Sequence, residues 1–217
     1  MRASLIAPLV AAVFCPAFAE ENAAGGSQNT VAVVMDFDHQ YSPVSVSAME
    51  QELESIMRSC SLRIQWRVLD DSTSRETFSN LVMARFRGTC RNDAAQPLRR
   101  RSTTLGFTHE PDGEIIRFSE VDCDEIRNFV QPRLDHHNRI RAELVYGRAL
   151  GRVLAHELYH VLTRTRTHGR TGVAKPALSA SDLTAGALRL ENRQSEDIRR
   201  SLLESGSPTT DTASAAR

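Results

Sequence analysis

Residues 152–171 read RVLAHELYHVLTRTRTHGRT, and two signals meet in them: a helical apolar period, and two histidines four apart. Ile140, Leu144, Val145, Leu150, Val153, Leu154, Leu158, Val161 and Leu162 recur at helical spacing. This predicts one long helix from near His137 to about Thr163. Positions four apart on such a helix lie about 40° from superposition, so His156 and His160 leave the same face. A stripe of small residues, Gly147, Gly151 and Ala155, runs along the helix as well. Each glycine costs about 1 kcal/mol of helix propensity, which calls for close packing on the sheet or on a neighbouring helix.

The histidine pair suits Zn2+. Zinc accepts neutral imidazole nitrogen at about 2.0–2.1 Å, and catalytic sites use three protein ligands and a water. Glu157, one residue round from His156, stands where a carboxylate takes a proton from that water and returns it to a leaving amine. The bland alternative is two surface histidines and a glutamate paired to Arg152 or Arg164. His168, eight residues past His160, is the first choice for the third ligand, provided the chain turns back after Thr163. Asp182 and Glu191, from the segment that follows, are the alternatives. His136 and His137 precede the pair by about 30 Å of helix and are too far away. His39 and His109 sit beside strand ends, where polar surface is the default reading.

Upstream of the helix the period changes. Residues 30–37, TVAVVMDF, are a nearly continuous apolar run, suited to a buried strand. Residues 45–60 place Val46, Met49, Leu53, Ile56, Met57 and Cys60 on one helical face. Leu62, Ile64, Trp66 and Val68 then alternate with polar residues, as in a half-buried strand, and residues 80–90 give another. The runs 104–109 and 114–121 flank Glu110-Pro111-Asp112-Gly113 and predict a hairpin with a tight turn. Residues 124–131 form a short helix ended by Pro132, and 164–178 read as loop. A further helix starts behind Ser179 or Ser181 as cap. The order predicts an α+β fold, a mixed β-sheet packed on the helix that carries HELYH.

The first residues, MRASLIAPLVAAVFCPAFAEE, have a positive start, an apolar run too short for a bilayer and Ala17-Phe18-Ala19 as a small-x-small cleavage site. Residues 1–19 therefore read as a secretory signal peptide; Phe14 is too large for the lipoprotein alternative at Cys15. Residues 20–29 read as a flexible leader, 30–205 as one domain and 206–217 as a disordered tail. The mature chain is expected to be soluble and secreted or periplasmic, with no membrane span. With 27 basic and 27 acidic residues, nothing points to a nucleic acid or membrane-surface partner, and Arg99, Arg100 and Arg101 read as a solvated run. Nothing in the composition sets an oligomeric state. Three cysteines survive signal removal, and an oxidising compartment favours one disulfide. Cys90, ending a strand, and Cys123, following one, are the preferred pair, worth roughly 3 kcal/mol. Pairings through Cys60 remain open.

HELYH, then His168, then Gly172-Val173-Ala174-Lys175, resembles the metzincin clan of zinc metallopeptidases. The likeness is nearer to small exported bacterial metallopeptidases with a longer spacer and a following H-x-x-x-G-[IV] segment, here His168 to Val173. It implies His156, His160 and His168 as zinc ligands, Glu157 as general base, a zincin-like fold and a peptide or protein substrate bound along a sheet edge in the 104–119 hairpin. The chain departs from the clan pattern at four places. Thr163 stands at the glycine position, Arg166 at the usual third histidine, and Ala174 where a methionine underlies the metal; the tyrosine near that turn is missing. The leading expectation is an exported zinc endopeptidase. A gluzincin-type enzyme using Asp182 or Glu191, and a catalytically inactive zinc-stabilised binding protein, are the competitors.

Overall fold

The computed structural model describes residues 29–92, 104–135 and 137–205. The signal, nearly all of the leader, Arg99 to Arg101, His136 and the tail lie outside the described residues.

Among the described residues, five strands form one sheet in the order β2-β1-β3-β5-β4. They are β1 (Thr30–Phe37), β2 (Arg63–Val68), β3 (Leu81–Arg87), β4 (Gly106–Thr108) and β5 (Phe118–Asp122). The first four in that order pair in parallel, and β4 alone runs antiparallel, against β5. β1 is an interior strand, buried from Val31 to Met35, whereas β2 is an edge strand and only half-buried. That difference is what the continuous and the alternating apolar runs encode.

Among the described residues, five α-helices accompany the sheet: α1 (Pro43–Met57), α2 (Cys123–Val130), α3 (Arg139–Thr163), α4 (Ala180–Thr184) and α5 (Asn192–Ser205). Val33 and Met35 of β1, Val82 and Phe86 of β3 and Val121 of β5 share a core with Met49 and Leu53 of α1 and with Leu150, Leu154 and Leu158 of α3. Burying each of those leucines is worth about 2 kcal/mol. The small-residue stripe of α3 lies on α1. A Cβ at Gly147 would come 2.2 Å from the Ser45 carbonyl oxygen, and one at Gly151 2.6 Å from that of Met49. The first turns of α3 differ from the expected stripe, because Ile140 and Leu144 face outward while Ala142 and Tyr146 point into the core.

Two boundaries need correction. The hairpin is real, but its turn is not tight. β4 has three residues, β5 starts only at Phe118, and the tip spans nine residues around a 3-10 turn at Pro111–Gly113. Asp112 and Gly113 both take positive φ there, so the Pro-Asp-Gly signal makes a local turn within a longer loop. The segment after Ser179 is two helices, not one. Ser179 does cap α4 in a reciprocal box with Asp182, but the chain leaves the helix at Ala185 and turns at Gly186, φ 57°. The buried Arg152 guanidinium causes the break, donating to the carbonyls of Asp182, Ala185 and Gly186 that continued helix would have occupied.

Cys90 and Cys123 form the disulfide, Cα atoms 5.0 Å apart, joining the end of β3 to the start of α2. Cys60 is free and buried, turned inward as its helical position predicts. No helix among the described residues is long and apolar enough to cross a membrane.

Candidate metal centre

α3 ends at Thr163 because Arg164 adopts a left-handed conformation, φ 49°, and the chain reverses. That reversal carries His168 back over the face bearing His156 and His160. The ligand nitrogens of the three histidines lie within 4.8 Å of one another, and among the described residues they are the one such group of three or more potential ligands. Their rings converge edge to face and stacked, with centroids 4.8 Å apart for His156 and His160, 4.8 Å for His160 and His168, and 5.3 Å for His156 and His168.

The hydrogen bonds behind the rings decide which nitrogens face inward. His156 Nδ1 lies 2.9 Å from the carbonyl oxygen of Val173, and His160 Nδ1 lies 2.7 Å from that of Thr165. Carbonyls only accept, so both Nδ1 atoms carry the proton and both Nε2 atoms present bare lone pairs. Those two Nε2 atoms are 3.2 Å apart. Two lone pairs so placed repel each other unless a cation lies between them. Nitrogens 2.0–2.1 Å from a tetrahedral zinc are themselves about 3.3 Å apart, so the geometry fits that ion. Burial, reinforced by the neighbouring imidazoles, pulls His156 down to about 4, and burial lowers His160 also. The rings are thus held in the neutral form a metal requires.

The turn after His168 supplies the floor. Gly169 N–H donates to the Ala174 carbonyl at 2.8 Å, closing a loop whose Val173 and Ala174 side chains are fully buried. The Val173 carbonyl, beside Ala174, orients His156. Tyr159 is buried and stands edge-on against the His160 ring at 5.5 Å.

Glu157, 5% exposed, points from α3 to the sheet edge rather than to an arginine. Its Oε2 accepts from the Thr108 hydroxyl at 2.8 Å, while Arg152 bonds Glu52 at 2.7 Å and three backbone carbonyls. The reading of a surface glutamate paired to arginine is therefore overturned. Desolvation pushes the Glu157 carboxyl up to about 7, against the opposing hydrogen bond from Thr108.

Asp182 and Glu191 are engaged elsewhere. Asp182 Oδ2 accepts from Lys175 Nζ at 2.7 Å and from the Ser179 backbone at 2.7 Å; Glu191 Oε1 accepts from Thr171 N–H at 2.7 Å and its hydroxyl at 2.6 Å. His39 is exposed, and His109 bonds Glu120 at 3.1 Å. An open cleft of about 1120 Å3 lies between the 163–170 segment and α5, with His168 and Tyr159 in its wall. Sequence reasoning missed Thr108 and the two carbonyl partners. A threonine in an alternating strand, and a backbone oxygen in a loop, leave no pattern that marks them.

No family model matches the chain, and no curated protein matches it by sequence. Among solved structures, the archaemetzincin of Methanopyrus kandleri is similar in arrangement, with a TM-score of 0.48 and 13% identity, over 82% of this chain and 98% of that one.

Proposed function

We propose that the chain is a zinc-dependent peptidase, exported by the signal in residues 1–19, with His156, His160 and His168 as metal ligands and Glu157 as general base. The observation that carries this is the pair of imidazoles with Nδ1 tied to carbonyls and bare Nε2 atoms 3.2 Å apart, closed by His168. A metal-free histidine surface has no need of that arrangement. When bound, zinc would polarise the scissile carbonyl and acidify the water beside it. Glu157 takes the proton of that water as its oxygen joins the carbonyl carbon, then delivers it to the amine nitrogen as the C–N bond breaks. The Cys90–Cys123 disulfide agrees with an oxidising destination. β4, an edge strand among the described residues and in contact with Glu157 through Thr108, offers backbone groups with which an extended peptide substrate can pair.

Metal analysis of the mature protein, purified without chelator, beside His168→Ala and Glu157→Gln, tests this. Wild type is expected to hold one equivalent of zinc. His168→Ala should bind it at least about a hundredfold more weakly. Glu157→Gln should keep it and lose hydrolysis of a quenched-fluorescent peptide pool by about a thousandfold or more. Zinc held undiminished without His168 would remove that ligand from the assignment. Full zinc with no peptide cleaved by wild type would point to the inactive, zinc-stabilised binding protein.

A further inference from the structure

The Glu157 carboxylate is held by the edge strand as well as by its own helix. Thr108 Oγ1 lies 2.8 Å from Glu157 Oε2 and 3.3 Å from the hydroxyl of Ser119, its register partner on β5, which is fully buried. An ionised carboxylate only accepts, and a hydroxyl has a single proton. Thr108 therefore donates to Glu157, and the Thr108 oxygen is left to accept from Ser119. Each member fixes the next, and the series ends on Oε2.

Oε1 is treated differently. It has no hydrogen-bond partner among the described residues, whereas Oε2 is held by Thr108. Gly106 lies above it. A Cβ there would stand 3.0 Å from Oε1 and 2.7 Å from Val153 Cγ1, closing the space over the free oxygen.

We propose that Thr108, oriented by Ser119, is a positioning residue that fixes the Glu157 carboxylate by Oε2 and leaves Oε1 as the oxygen that exchanges the proton, with Gly106 keeping its approach open. This rests on Glu157 acting as the base. A carboxylate free to rotate presents either oxygen over a range of angles, and proton transfer needs a heavy-atom separation of about 2.6–3.2 Å in one orientation. The hydroxyl pair restricts that rotation before substrate arrives. Among the described residues β4 is also an edge strand, on which a peptide would pair, so the strand that aligns the substrate also aligns the base.

The test compares zinc-loaded wild type, Thr108→Val, Thr108→Ser, Ser119→Ala and Glu157→Gln on a quenched-fluorescent peptide pool, with zinc content measured for each. Thr108→Val, which keeps shape and removes the hydroxyl, is expected to retain zinc and KM within about twofold and to lose kcat by about ten- to a hundredfold. Thr108→Ser should restore kcat to within about threefold of wild type, and Ser119→Ala should lose about threefold with zinc intact. A Thr108→Val protein with full zinc and unchanged kcat overturns the proposal while leaving the base in place. Zinc lost equally from the Val and Ser variants overturns it also, by assigning Thr108 to the frame of the metal site. Glu157→Gln turning over like wild type removes the base, and the positioning role with it.

Discussion

At the residue scale, Glu157 and His156 are neighbours on α3 whose titrations burial moves in opposite directions. Glu157, ordinarily near 4.5, is pushed up to about 7, and His156, ordinarily near 6.5, is pulled down to about 4. In chelator-treated protein, Glu157 holds a proton in the fold that the unfolded chain has released. Its contribution to stability is present in acid and disappears as pH rises through about 7. His156 works the other way. The unfolded chain takes up a proton below about 6.5 that the fold refuses until about 4, so stability falls as pH falls through that window. Between about 4.5 and 6.5 the two slopes oppose and largely cancel. Glu157→Gln leaves the histidine uncompensated. Metal-free Glu157→Gln should gain on the order of 3 kcal/mol relative to wild type between pH 4.5 and 7, read by urea unfolding. Parallel curves for the two proteins would show that Glu157 titrates near its ordinary value.

At the element scale, what was legible depended on whether a signal was local. The span of α3 and the close packing of its glycines on a neighbouring helix follow from one period and emerged as read, whereas the outward turn of Ile140 and Leu144 in its first turns did not. The break between α4 and α5 did not, because its cause is Arg152, about thirty residues away, whose guanidinium seeks the carbonyls of Asp182, Ala185 and Gly186. A buried arginine inside an apolar period looks in sequence like any exposed one. The same α3 carries a prediction. Gly147→Ala gains about 1 kcal/mol of helix propensity, yet its Cβ would meet the Ser45 backbone oxygen at 2.2 Å and the Ala48 Cβ at 2.8 Å. Backbone cannot swing aside as a long side chain can, so α1 and α3 must part. A net loss of about 2 kcal/mol is expected in thermal or urea unfolding. A gain would mean that the two helices slide without cost.

At the scale of the whole molecule, the strand and helix content was readable and the pairing order was not. Each strand announces its own burial, but nothing local says that β1 lies between β2 and β3, or that β4 closes one edge above Glu157. Thr108 was invisible for that reason, since its role exists only once β4 is laid against α3. The three cysteines show how far such reasoning reaches. Strand-end positions favoured Cys90 with Cys123, the helix face favoured an inward Cys60, and both hold. Their energetics differ accordingly. The disulfide separates residues 33 apart in sequence, so its removal frees an unfolded-chain loop worth about 3–4 kcal/mol. Cys60 carries a thiol that burial pushes up, despite hydrogen bonds from Ser59 and Ser195. Iodoacetamide at pH 8 should therefore leave Cys60 unmodified in the native protein and label it fully in urea, by peptide mass. Cys90→Ala with Cys123→Ala should lower the unfolding free energy by that loop term and bring the urea midpoint down with it, and Cys60 labelling should begin at the lower urea concentration. Rapid labelling of Cys60 in the untreated native chain would show that α1, α5 and the 3-10 turn Arg58–Cys60 open locally at that point, without the global unfolding this packing requires.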